Sequence, residues 1–98
     1  MARIELAPEV MDDFERILLH LKQFEVEHPA ERIGEIMGAI DILATNPLIG
    51  RPCAADKREL IIGKQAHGYV ALYRYLQELD TVFVLAIRNQ REAGYDGF

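Results

Sequence analysis

Gly68-Tyr69-Val70-Ala71-Leu72-Tyr73-Arg74-Tyr75 and, after a short acidic turn, Val82-Phe83-Val84-Leu85-Ala86-Ile87-Arg88-Asn89-Gln90-Arg91-Glu92 decide how this chain folds. β-Branched and aromatic residues dominate both runs, and the link from Gln77 to Asp80 is brief, so they read as two antiparallel strands. Alternate residues of a strand share a face. Val70, Leu72 and Arg74 therefore point one way, and Tyr69, Ala71, Tyr73 and Tyr75 the other. In the last run Phe83, Leu85 and Ile87 are expected to face a core, with Arg88 on the opposite side. Apolar strands that finish in fixed positive charges suggest a small sheet carrying a site for an anionic or acidic partner.

Working back from these strands, Lys57 to Ile62 reads as a third, joined to the second by a turn over Gly63 to Gly68. Residues 47–56 are a loop by their Pro and Gly content. Upstream lie two amphipathic helices. Pro8 suits a first helical position, where the amide hydrogen it lacks has no partner to lose. Glu9, Asp12 and Asp13 follow, complementing the helix dipole. Val10, Phe14, Ile17, Leu21 and Phe24 recur at helical spacing, widened by Met11 and Leu18. Glu25 to His28 connect to a second helix that starts at Pro29. Its apolar face is Ile33, Ile36, Met37, Ile40, Leu43 and Ala44, and Asn46-Pro47 ends it. Gly34 and Gly38 leave slender places where another backbone could approach. Arg3 to Leu6 is a short first strand. The order β-α-α-β-β-β predicts an α+β domain, with an N-terminal helical hairpin packed on one face of a small, mainly antiparallel sheet. The other face is expected to be open.

The chain has 98 residues, enough for one modest core, so residues 1–98 read as a single domain. Half of the residues are hydrophobic and 28% are charged, the balance of an ordinary globular protein. No apolar run is long enough to span a bilayer and the start lacks a signal-peptide core, which makes a cytoplasmic protein with no membrane partner the expectation. The single Cys53 has no partner for an internal disulfide. The net charge of −5 is uneven: residues 1–50 carry four Lys/Arg against ten Asp/Glu, and residues 51–98 seven against six. An acidic first half argues against broad attraction to nucleic acid, which leaves direct DNA binding by this chain alone unexpected.

Arginine is the best candidate for chemistry. Arg58, Arg74, Arg88 and Arg91 lie within or just beyond the strands, where they could grip a phosphate or carboxylate through bidentate hydrogen bonds. Equally, Arg74 and Arg88 could pair with acidic helix residues at the sheet edge and hold the layers together. His20, His28 and His67 show no metal-ligand spacing with Cys53, so no metal or cofactor is expected. Serine is absent, and Thr45 and Thr81 lack triad partners, which leaves nucleophilic hydrolysis without support. The glycines form no phosphate-binding loop. Cys53 lies near Arg51 in a loop. Tyr95 either stacks or donates a proton, or simply packs the tail onto the body.

The element order, together with Asn46-Pro47-Leu48-Ile49-Gly50-Arg51-Pro52, Arg58-Glu59-Leu60, Gly68-to-Arg74 and Ile87-Arg88-Asn89-Gln90-Arg91-Glu92, resembles the RelE/ParE toxin superfamily over nearly the whole chain. That resemblance implies the toxin half of a bacterial type II toxin–antitoxin pair, a role in plasmid or genomic-island maintenance, growth inhibition, and neutralisation by an antitoxin protein. It also implies one of two activities. RelE-like members are ribosome-dependent mRNA endonucleases that use basic residues and often a C-terminal tyrosine or histidine. ParE-like members poison DNA gyrase and are not known as nucleases.

In RelE-like chains an arginine typically follows the Gly-Tyr pair, and here that position is Val70. Arg74 cannot substitute, because four residues along a strand span roughly 13 Å. A valine cannot neutralise charge on a cleaving phosphate. The Tyr73-Arg74 pair, Gln90 and the acidic charge resemble the ParE-like branch. On that branch there are no catalytic residues, and Arg58, Val70, Leu72, Arg74, Arg88 and Arg91 are the expected partner-binding residues. On the nuclease branch Arg58, Arg88, Arg91 and Tyr95 would be catalytic. A member that binds its antitoxin but has lost toxicity is the third alternative.

Overall fold

The computed structural model describes residues 1–24, 27–63 and 68–90. Its elements are β1 (Arg3–Leu6), α1 (Pro8–Gln23), α2 (Pro29–Asp41), β2 (Arg51–Pro52), β3 (Arg58–Ile62), β4 (Tyr69–Leu76) and β5 (Thr81–Asn89). They form one five-stranded sheet in the order β1-β5-β4-β3-β2. β1 runs parallel to β5, and every other pairing is antiparallel. This is the α+β layout anticipated, with the helical hairpin over one face.

Both helices begin at proline, as expected. The entry to α1 is tied to the sheet, since Ala7 donates its N–H to the Val84 carbonyl at 2.9 Å. Val10, Ile17 and Leu21 are buried against the sheet, and α1 packs chiefly on β5. Phe24 is not part of that stripe. It caps the helix C-terminus, is 64% exposed, and stacks beside His20 with ring centroids 4.7 Å apart. Ile36 and Ile40 carry the buried face of α2, and a short 3₁₀ turn over Ile42–Ala44 brings Leu43 into the same core. A side chain added at Gly34 or Gly38 would meet nothing within 4 Å, so no backbone of the described chain approaches there.

The alternation expected for β4 holds. Tyr69, Ala71 and Tyr73 join the core beneath the helices, with Tyr75 packed against it. The alternation expected for β5 does not hold. Leu72 pairs with Ala86 but Tyr73 pairs with Val84, leaving Leu85 as an extra residue in a β-bulge. One extra residue reverses the parity of a strand. The core therefore receives Val82 and Val84 before the bulge and Ile87 after it. Phe83 and Leu85, expected to face the helices, lie outside this cluster and are only partly buried.

The region read as a plain loop, residues 47–56, contains β2 and a tight hairpin into β3. Lys57 donates its N–H to the Ala54 carbonyl at 3.3 Å, and Ala55 and Asp56 both have φ of 60°. Positive φ at both central residues is the signature of a type I′ turn, whose twist matches that of the flanking strands.

Candidate partner-binding site

The face of the sheet turned away from the helices is set by register. Arg51 stands opposite Glu59, Glu59 opposite Leu72, and Leu72 opposite Ala86. One row along, Ile61, Val70 and Arg88 lie side by side, and at the far end Arg74 is beside Phe83. Glu59 is the hub of this face. Arg51 donates from Nε to Glu59 Oε1 at 3.3 Å, and Arg88 Nη2 lies 3.7 Å from Oε2. Glu59 and Arg88 are largely buried, at 15% and 16% side-chain exposure, whereas Arg51 is mostly in solvent. An exposed arm of this kind contributes about 0–1 kcal/mol. Arg88 also donates from Nη1 to the carbonyls of Asn89 (3.2 Å) and Gln90 (3.3 Å). Its acidic partner on this face is thus the strand residue Glu59.

Val70 and Leu72 do lie on this face, but they are only 1% and 5% exposed. β4 is a central strand, and both residues have register partners on either side. The face is therefore less open than the alternation alone suggested. Its accessible features include Ile61, which is 45% exposed, and the mostly solvated Arg51.

Arg58 takes a different position. It pairs in register with Tyr73, on the helix side, and donates from Nη1 to the carbonyls of Leu48 (3.1 Å) and Gly50 (2.8 Å). The Tyr73 hydroxyl accepts the Gly50 N–H at 2.8 Å. Burial raises the Tyr73 phenol above its ordinary pKa, opposed by the Gly50 hydrogen bond and the nearby Arg58 charge. Gly50 is required where it is. A Cβ there would lie 2.6 Å from the Tyr73 ring and 2.9 Å from the Glu59 carbonyl oxygen. Arg58 and Tyr73 together fasten the loop that carries Arg51 to the open face.

Arg74 is the contrasting case. It makes no hydrogen bond or ion pair among the described residues, and its Nε is buried with no acceptor. It lines a cleft of about 430 Å³ at the end of the sheet, together with Lys57, Arg58 and Tyr75. Arg91 and Tyr95, needed for the nuclease alternative, lie outside the described residues, as does His67. Cys53 is exposed, and no group of three potential metal ligands occurs among the described residues.

A polar device passed over by the sequence reading sits beneath Arg88. Asp13 of α1 is 2% exposed, and its Oδ2 accepts the Ile87 N–H at 2.8 Å. Arg16, 3.3 Å from Asp13 Oδ1, donates to the Ile87 carbonyl at 3.0 Å. β1 pairs with β5 only as far as Val84, so beyond it β5 has an unpaired edge. Two side chains from α1 supply there the acceptor and donor that a longer β1 would have supplied. The signal was present in the sequence: Asp13 falls on the apolar stripe defined by Val10, Ile17 and Leu21, where a charged residue has to be paired.

This two-layer architecture recurs in solved toxin–antitoxin structures. The chromosomal ParDE TA system from P. aeruginosa contains a chain matching with a TM-score of 0.74 at 18% identity, covering 91% of this chain and 96% of that one. The intact E. coli RelBE toxin–antitoxin complex gives a TM-score of 0.65 at 10% identity, covering 94% and 100%. At such identities the likeness concerns the fold. No curated protein matches the sequence. The fold is that of RelE/ParE-type toxins. Within that class the chain belongs to the family of the ParE toxin of the type II toxin–antitoxin system parDE, whose model matches residues 4–94. No helix among the described residues is long and apolar enough to cross a membrane.

Proposed function

We propose that this protein halts growth by inhibiting DNA gyrase through protein–protein contact, and that a cognate antitoxin neutralises it in the cytoplasm. Membership of the ParE family supports the gyrase target, and the two toxin–antitoxin structures with the same fold support the antitoxin partner. The observation that carries the choice against RNA cleavage is the row Ile61–Val70–Arg88. A phosphoryl-transfer site needs preorganised positive charge where the cleaving phosphate sits. Here the central position is a buried valine, and the neighbouring Arg88 is already engaged by Glu59. The sheet face is then a docking surface, with Arg51 and Arg74 as its cationic contacts and Arg88 held beneath by Glu59.

Induced expression, with and without the neighbouring antitoxin gene, tests the pair: arrest that the antitoxin relieves is expected. Growth unaffected by the chain would mark a member that binds antitoxin without harming the cell. Codon-phased mRNA cleavage in a translating extract, lost on Arg91→Ala or Tyr95→Phe, would move the protein to the nuclease branch.

A further inference from the structure

We infer that the cleft at the end of β3 and β4 is a receptor for a single carboxylate side chain on an acidic, otherwise apolar peptide segment. Arg51, Arg88, Arg3 and Arg16 each have an acidic partner within the chain. Arg74 has none among the described residues, although its Nε is buried without an acceptor. A buried donor left unsatisfied is unfavourable, and an arriving acceptor at this guanidinium relieves that. Arg74 presents a planar fork of donors suited to a carboxylate. Lys57 adds a second cation: it directly precedes Arg58, the first residue of β3 and the register partner of Tyr73, and it lines the same cleft as Arg74.

The support under this pair is rigid. Lys57 closes the type I′ turn, in which Ala55 and Asp56 hold left-handed backbone conformations that side chains other than glycine, asparagine and aspartate adopt at a cost. Arg58 is fixed by two carbonyls of the preceding loop. The backbone at Lys57 and the Arg58 guanidinium are therefore in place before any ligand arrives, which limits the ordering cost of binding.

The composition of the cleft selects the ligand. Leu48, Pro52 and Leu76 line it beside the cations, so an apolar side chain adjoining the acid has a surface to cover. Asp56 and Glu78 line it as well, and they offset two of the three positive charges. One excess positive charge matches one carboxylate. It does not match a nucleic-acid strand, whose binding depends on neutralising several phosphates together. The inference rests on the antitoxin reading above, and it specifies what the antitoxin brings: an Asp or Glu flanked by apolar residues, seated against Arg74.

Calorimetric titration of the full chain with the purified product of the adjacent short reading frame tests this, followed by titration with 15-residue peptides tiling that product. A peptide bearing an acid next to an apolar residue is expected to bind. Its affinity should fall at least tenfold with Arg74→Gln, to a smaller extent with Lys57→Glu, and equally when its acid is changed to the amide. The Arg74→Gln and peptide-amide losses should not add. Circular dichroism confirms that each variant is folded, and the peptide-side change keeps the test valid should Arg74→Gln not fold. Binding of the intact product that neither Arg74→Gln nor Lys57→Glu weakens would overturn the cleft assignment alone. No binding of the product by the wild-type chain would overturn the antitoxin reading and the assignment with it. Arg74-dependent binding of a ten-nucleotide RNA, with no peptide bound, would replace the peptide by a nucleic acid.

Discussion

Individual residues carry more of the local structure here than their types suggest. Gly50 has backbone and ring atoms of β3 and β4 where a Cβ would go. Gly50→Ala is expected to destabilise the fold by about 1–3 kcal/mol, as overpacking does, read as a lowered urea midpoint. Tyr73→Phe leaves the Gly50 N–H without its acceptor and should cost about 1–3 kcal/mol for the same reason that any buried donor does. The Tyr73 phenol titrates higher in the folded chain than its ordinary value of 10.0. Its contribution to stability is therefore whole below that value and is lost as pH rises through the folded pKa. Wild-type stability should fall more steeply above pH 10.0 than that of Tyr73→Phe, in denaturant titrations across the alkaline range. Ala55 shows the opposite sign. With φ of 60° it occupies a region that glycine enters freely, so Ala55→Gly should stabilise by roughly 0.5–1 kcal/mol, seen as a higher urea midpoint.

At the scale of elements, the helices and four of the five strands are legible because each carries its own periodicity and punctuation. Pro8 and Pro29 marked the helix starts, and the alternation of Tyr69, Ala71 and Tyr73 told the two faces of β4 apart. The faces of β5 are misassigned only as far as the bulge, at Phe83 and Leu85, and Ile87 beyond it faces the core as expected; the reason is equally physical. Phe83 to Ile87 is apolar throughout, so neither parity is disfavoured by a polar residue, and no glycine marks the bulge at Leu85. β2 escaped notice because a two-residue strand ending in Pro52 carries no pattern at all. The parallel pairing of β1 with β5 is a tertiary choice that four residues cannot announce. Asp13 and Arg16 show how that choice is completed, since they bind the stretch of β5 that β1 is too short to reach. Asp13→Asn replaces one acceptor by an amide and disturbs Arg16. It should cost about 1–3 kcal/mol, and the Ile87 amide should exchange with solvent markedly faster. Unchanged protection at Ile87 would show that the clamp does not hold β5.

The whole molecule divides its charge as it divides its layers. The acidic residues belong mostly to the first half of the chain, which forms β1 and the hairpin, while four of the seven cations in the second half, Arg51, Arg58, Arg74 and Arg88, are on strands. A sheet with local positive charge in an acidic protein suits a protein partner better than a polyanion. Which residues would touch that partner was only partly readable. Alternation placed Val70, Leu72, Arg74 and Arg88 on one face, but not the burial of the two apolar residues or the engagement of Arg88 by Glu59, both of which depend on β3. We propose above that this chain is a gyrase-directed toxin held in check by an antitoxin. The most direct measurement is supercoiling of relaxed plasmid by purified gyrase as the purified chain is added, with and without the antitoxin. Supercoiling is expected to be lost as the chain is added and restored by the antitoxin; full supercoiling at saturating amounts of the chain would rule gyrase out as the target.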